Sequence, residues 1–168
     1  MKIFNPLFFQ IFPITNSINI TDDGSRNATE TSANDKFCID SNGNFHIVYI
    51  NKDENLMYAN SSNKGLNWNY FLIKDVISVI EEAGLICDSN NIIHLNYVYD
   101  GIVYSSNSSD MFVNEYISMS ISSKIFEKHS CAIASNNIIH CCAILELIPG
   151  NQVLYYVNSS EWDTEIGP

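Results

Sequence analysis

Short runs in which apolar and polar residues alternate recur along this chain, separated by breaks rich in Asn, Ser and Gly. Alternation with a period of two over so few residues marks half-buried strands, not helices. Phe37 to Asp40 reads as one short strand and Phe45 to Ile50 as the next. Leu56 to Asn60 and Asn67 to Ile73 follow as a third and a fourth. Between them lie a Ser41-Asn42-Gly43-Asn44 turn, a polar loop from Asn51 to Asn55, and a second turn at Ser62-Asn63-Lys64-Gly65. Asn-Gly is expected to supply the positive φ angles of the first hairpin. Asp75 to Gly84 is the one stretch with room for a helical turn.

The same plan returns twice. Asp40-Ser-Asn-Gly-Asn-Phe-His46 aligns without gaps with Asp88-Ser-Asn-Asn-Ile-Ile-His94 and Ala134-Ser-Asn-Asn-Ile-Ile-His140. The histidines are spaced 48 residues (46 to 94) and then 46 residues (94 to 140) apart. A second string follows each time: Leu56-Met-Tyr-Ala-Asn-Ser-Ser62, Ile102-Val-Tyr-Ser-Ser-Asn-Ser108 and Leu154-Tyr-Tyr-Val-Asn-Ser-Ser160. Two strings recurring in one order identify tandem repeats. The chain therefore divides into a leader, 1–36, with a single strand at Ser17 to Thr21, then repeats at 37–84, 85–129 and 130–168. The third repeat is truncated just after Trp162.

Strands joined by such short turns leave no room for the crossover helices of a parallel sheet. The expectation is an all-β protein, a partial β-propeller of about three four-stranded antiparallel blades; a stacked β-solenoid fits the period less well. In the first repeat, Ser61-Ser62-Asn63-Lys64-Gly65-Leu66-Asn67-Trp68 is similar to the Asp-box, Ser-x-Asp-x-Gly-x-x-Trp, of the sialidase (bacterial neuraminidase repeat) family. Asn63 stands where that motif has Asp. A faded version, Ser105-x-Asn107-x-Ser109-x-x-Phe112, marks the second repeat, and Ser159-Ser160-Glu161-Trp162 remains in the third. The resemblance implies a structural staple: Asn63 accepts turn amides, Gly65 takes a left-handed conformation and Trp68 packs on the sheet. It also implies ligand binding on the loops between second and third strands, which carry Tyr49, Asp53, Glu54, Tyr97, Tyr99, Asp100 and Glu146. Aromatic rings beside carboxylates suit sugar recognition, and acidic loop tips also serve solubility alone.

Charge narrows the partners. The net charge is −11 with eight Lys and Arg, so no basic stripe exists for nucleic acid or an anionic membrane surface. No apolar run reaches the length of a membrane-spanning helix. Sialidase chemistry clamps a carboxylate with three arginines, and this chain has one, Arg26; no catalytic residue is assigned. The expected function is a non-catalytic repeat module binding glycans or proteins within a larger surface or secreted protein. The alternative is a fragment of a sialidase-like glycoside hydrolase whose catalytic residues lie elsewhere. Open blade faces further imply self-association or additional blades.

Remaining candidates have simpler readings. His46, His94 and His140 are too far apart on successive blades to share a metal and are expected in a repeated hydrogen-bonding role on the second strand. Asp40-x-Asn42-x-Asn44 lacks the later Gly and Glu of a calcium loop. No cofactor or metal is assigned. Cys38, Cys87, Cys131, Cys141 and Cys142, odd in number and set in apolar runs, are expected as buried thiols. The N-terminal apolar run, broken by Pro6, Gln10 and Pro13, reads as a strand or leader segment, not a secretory signal. Five Asn-x-Ser/Thr sites, at Asn19, Asn27, Asn60, Asn107 and Asn158, permit an extracellular setting.

Overall fold

A computed structural model describes residues 36–75, 80–119, 126–148 and 151–160. The expected strand at Ser17 to Thr21 and the end of the third repeat at Trp162 lie outside them. The described residues form three antiparallel sheets and no α-helix. The first sheet contains β1 (Phe37–Ile39), β2 (Phe45–Ile50), β3 (Leu56–Ser61) and β4 (Asn69–Lys74), paired in chain order. The second contains β5 (Ile80–Cys87), β6 (Ile93–Tyr99), β7 (Ile102–Asn107) and β8 (Tyr116–Met119). The third contains β9 (Phe126–Ile133), β10 (Ile139–Ile148) and β11 (Asn151–Asn158). Each sheet is thus a meander of neighbouring strands, as the short turns require.

The inner strands start earlier than the sequence pattern shows. Residues from Ile80, expected as the tail of a helical turn, belong to β5, and β9 begins at Phe126, not near Cys131. Both extensions pair along their whole length with the next strand, so ladder hydrogen bonds outweigh local preference.

Alternation gives every sheet two faces. The histidine face carries His46, Val48 and Ile50 in the first sheet, with Leu56 and Tyr58 opposite them. The far face of the second sheet carries Leu85, Ile93, Leu95 and Tyr97, and these two faces bury one another in the main core. The next joint repeats the scheme. Val98 and Val103, on the histidine face of the second sheet, pack against Ile139, Cys141 and Ala143 on the far face of the third. At about 25 cal/mol per Å² of apolar surface removed from water, these two joints supply the main drive to fold. A smaller cluster of Tyr49 and Ala59, edged by Ile47, Met57 and Trp68, lies on the far face of the first sheet.

The turns joining first and second strands are built alike. Gly43 N–H donates to the Asp40 carbonyl at 3.0 Å, and Asn91 and Asn137 N–H do the same to Asp88 and Ala134. Positive φ falls only on the last turn residue, Gly43 at 80°, Asn91 at 64° and Asn137 at 62°. The expected pair of left-handed residues at Asn42-Gly43 is therefore corrected to one. Between sheets, Ser41 Oγ and N–H donate to Asn91 Oδ1, and Ser89 Oγ and N–H donate to Asn137 Oδ1. The same bond thus ties each turn to the next.

The cysteine expectation is also corrected. Cys38 and Cys87 form a disulfide joining β1 to β5, and Cys131 and Cys141 form another between the paired strands β9 and β10. Cys142 alone is free. Strand register explains the second bond, since Cys131 stands directly opposite Cys141. Sheet stacking explains the first, and neither relation is visible as sequence spacing.

Candidate functional site

The repeated histidine organises each first hairpin. Asp40 Oδ1 accepts the amides of Asn42 and Asn44, while its Oδ2 takes the Asn44 side chain and lies 3.4 Å from His46 Nε2. Asp88 repeats this with Asn90, Ile92 and His94 Nε2 at 3.2 Å. Burial pushes both carboxyls up, but the hydrogen bonds prevail and hold both below the ordinary aspartate value. At His94 the acceptor on Nε2 assigns the ring proton there and leaves Nδ1 as an acceptor. In the first sheet Nδ1 of His46 and the Tyr58 hydroxyl share a hydrogen bond of 2.6 Å, and in the third Nδ1 of His140 and the Tyr156 hydroxyl share one of 2.7 Å.

The second sheet breaks this pattern. Register places Tyr58 opposite Val48, Tyr156 opposite Cys142, and Ser105 opposite Asn96. Ser105 thus stands where the other repeats have tyrosine, and its hydroxyl donates to Asn96 Oδ1 at 2.5 Å. No tyrosine reaches His94. The sequence strings hid this because the hairpin from His94 to its partner Asn107 is one residue shorter than that from His46 to Asn60, its loop holding two residues (100–101) in place of five (51–55). In register, Asn60-Ser61-Ser62 matches Asn107-Ser108-Ser109 and Asn158-Ser159-Ser160.

A cavity of about 210 Å³ opens beside His94, between the second and third sheets. His94, Asn107 and Tyr116 line it from one sheet; Asn137, Ile139 and Ser159 line it from the other. Asn107 Oδ1 is occupied by the Ser109 amide and Asn137 Oδ1 by Ser89, which leaves each amide NH2 to donate. Ser159 Oγ accepts the Ile139 amide at 3.1 Å and keeps its own proton for a further bond. His94 Nδ1 supplies an acceptor, the Tyr116 hydroxyl either role, and Ile139 an apolar patch. Ser106 borders the cavity too, but alternation along β7 places its side chain on the far face with Tyr104. Among the described residues, no Lys, Arg, Asp or Glu lines the space.

The corresponding space between the first and second sheets is full. The Tyr58 ring stacks on His46 at 6.0 Å and packs against Phe71 at 5.8 Å and Phe112 at 5.0 Å. Phe71 faces Tyr58 across β3 and β4 as Tyr116 faces Ser105 across β7 and β8.

The loop residues expected as ligand contacts are scattered. Tyr49 and Tyr97 are corrected to core strand residues, buried on β2 and β6. The Tyr97 hydroxyl donates to Glu115, and Lys74 Nζ sits 2.7 Å from Glu115 and about 5 Å above the rings of Tyr97, Tyr99 and Tyr104. Burial, then Glu115, drive the Tyr97 hydroxyl far above its ordinary pKa. This cluster ties β4 to the second sheet. Asp53 and Asp100 are exposed at loop tips and Glu54 is half-buried at φ 66°. Asp100 and Gly101, both at positive φ, make the tight two-residue turn after β6. Glu146 pairs with Gln152 on β10 and β11.

Around Ser61, Asn63, Gly65 and Trp68 the turn is closed by its own side chains. Ser61 Oγ accepts Gly65 N–H at 2.8 Å, and Asn63 Oδ1 accepts Asn67 N–H at 2.8 Å. Gly65 has φ 84°, and Trp68 Nε1 donates to its carbonyl at 3.0 Å. The second-repeat counterpart begins three residues later than the sequence alignment places it. Asp110 Oδ2 accepts Asn114 N–H as Asn63 accepts Asn67, Phe112 at φ 63° takes the Gly65 position, and Glu115 takes that of Trp68. Among the described residues no cluster of three or more His, Cys, Asp or Glu is arranged to hold a metal, and no helix is long and apolar enough to cross a membrane.

No family model and no curated protein sequence matches the chain. Solved structures do resemble it in fold. A fucose lectin from Kordia zhangzhouensis in complex with methyl-fucoside superposes with a TM-score of 0.51 at 17% identity, covering 78% of this chain and 96% of the lectin. A polysaccharide lyase, the PL25 ulvan lyase, gives 0.57 at 11% identity over 76% of this chain. The chain spans 41% of the lyase's length.

Proposed function

We propose that this chain is a non-catalytic glycan-binding module, and that the cavity between its second and third sheets holds one neutral sugar ring. The observation that carries the reading is the cavity's lining. Amide and hydroxyl donors, an imidazole acceptor and one aliphatic wall match the hydroxyls and C–H face of a pyranose, and no charged side chain calls for a charged ligand. A single ring fits the small volume. The fold likeness to a sugar-bound lectin and to a polysaccharide-degrading enzyme supports the reading. The two disulfides suit an oxidising setting, where surface glycans are met.

The three sheets are read as successive blades of a propeller-like array, each histidine face covered by the far face of the next. The similarity of the Ser61-to-Trp68 turn to an Asp-box supports this arrangement as a repeat of the sialidase-like kind. In the second repeat Asn107, at the start of this turn, lines the cavity, and the rest of the turn holds third and fourth strands together.

Isothermal titration with a panel of neutral monosaccharides tests the function. Saturable heat with at least one of them, weakened tenfold or more in His94→Ala and Asn137→Ala, is expected. Binding only of acidic sugars, or none across the panel, overturns it.

A further inference from the structure

We infer that a second copy of this chain docks head to tail on the first, the far face of its first sheet covering the histidine face of the third sheet here. The two surfaces are, position by position, the ones that already bury each other within the chain. Leu56 and Tyr58, on the histidine face of the first sheet, are 0% and 4% exposed. Their register equivalents on the third sheet, Leu154 and Tyr156, are 68% and 57% exposed. The complementary surface shows the same contrast, since Leu85 on the second sheet is 1% exposed and its counterpart Phe37 on the first is 43% exposed. Ile39 is exposed beside Phe37.

The chain therefore displays one unpaired half of its own internal joint at each end. The hydrogen-bonded His140–Tyr156 pair of the third sheet reproduces the His46–Tyr58 pair that the second sheet covers. Apolar surfaces of this kind are seldom left open on a monomer. A second copy presents the matching partner at each end, so two head-to-tail joints close six sheets into one ring.

The internal disulfide gives the contact a register. Cys38 is paired with His46 on the histidine face, and Cys87 with Ile93 on the far face. The equivalent positions are Ala132, opposite His140, and Ile39, opposite Phe45. At the joint between copies, Ala132 of one stands where Cys38 does and Ile39 of the other where Cys87 does. One bond is missing there. Ser135 meets Gly43, which has no amide to accept its hydroxyl, so this joint is weaker than the internal ones and dissociates on dilution.

Sedimentation velocity over a dilution series tests the proposal on the full chain. A dimer at micromolar concentration, converted to monomer by Phe37→Glu and by Leu154→Glu but not by Leu66→Glu on an exposed turn, is expected. In a Cys142→Ser background, Ile39→Cys with Ala132→Cys should give a covalent dimer that a reductant reverses. A monomer throughout, or a dimer indifferent to both face variants and not trapped by the cysteine pair, overturns the inference.

Discussion

The joint between the first and second sheets is filled by Tyr58, Phe71 and Phe112; the joint between the second and third, built to the same plan, has the small buried Ser105 in the tyrosine's register position and an open cavity lined by His94 and Tyr116. The same histidine and the same aspartate stand behind both. In the first joint the histidine is engaged by a tyrosine of its own chain. At the second joint the loss of one ring frees an acceptor and makes room beside it. On the proposed reading, a binding site arises between two such sheets without new charged residues, by removing a plug from one interface.

The covalent difference between the joints should give the largest effect. Only the first is crossed by a disulfide, Cys38–Cys87, at a sequence separation of 49, whereas Cys131–Cys141 at separation 10 lies within one sheet. Loop-closure entropy assigns about 4 kcal/mol to the former and about 3 kcal/mol to the latter. Urea unfolding of Cys38→Ser with Cys87→Ser should therefore show the greater loss, and the reverse order would show that the first joint does not depend on its bond.

Exchanging the plugs comes next. Tyr58→Ser deletes a buried ring and leaves His46 without its hydroxyl partner, a loss of about 3 kcal/mol. The opposite exchange transplants the first joint into the second. Asn96→Val with Ser105→Tyr recreates the Val48–Tyr58 pair, and calorimetry should place its stability within about 1 kcal/mol of the parent, since the cavity has room for the ring. A loss as large as that of Tyr58→Ser would mean that the two joints are not equivalent.

Acidification probes the aspartate–histidine hairpins that both joints share. Burial lowers the His46 pKa, and Asp40 only partly restores it, so the folded value lies below 6.5. The unfolded chain takes up that proton first, and stability is full above pH 6.5 and declines as the pH falls below it. Asp40 and Asp88, also depressed, add stability above 3.8 that is lost as the pH falls through their folded values. Both act in one direction. Urea midpoints should fall between pH 7 and pH 5 and fall further towards pH 3; a midpoint flat across the whole range would contradict these assignments.

Much of this was legible in the sequence. The gap-free strings around His46, His94 and His140 reveal the repeat and the second strand of each sheet. Period-two alternation gives most of the remaining strands, but β5 and β9 begin well before the pattern shows, at Ile80 and Phe126. The site was not legible, because it depends on register. A hairpin one residue shorter between His94 and Asn107 than between His46 and Asn60 shifts Tyr104 out of line with Tyr58, so the sequence strings pair the two tyrosines that the ladder separates. Anchoring on Asn-Ser-Ser, the turn common to all three repeats, would have exposed Ser105. The disulfides escaped for a related reason, since Cys38 and Cys87 meet only through sheet stacking. Tyr49 and Tyr97 illustrate the converse, aromatic residues beside loops that face the core because alternation carries them inward.

The cavity beside His94 carries the proposed function, and amide and side-chain chemical shifts read it most directly. Titrating a neutral monosaccharide that binds into the isotope-labelled chain should move signals of His94, Asn107, Tyr116, Asn137, Ile139 and Ser159, and leave Asp53 and Asp100 at the loop tips unmoved. The Asn96→Val, Ser105→Tyr double variant should show none of these shifts while remaining folded. Shifts centred on the loop tips, or a response that persists unchanged with the tyrosine plug restored, would contradict it.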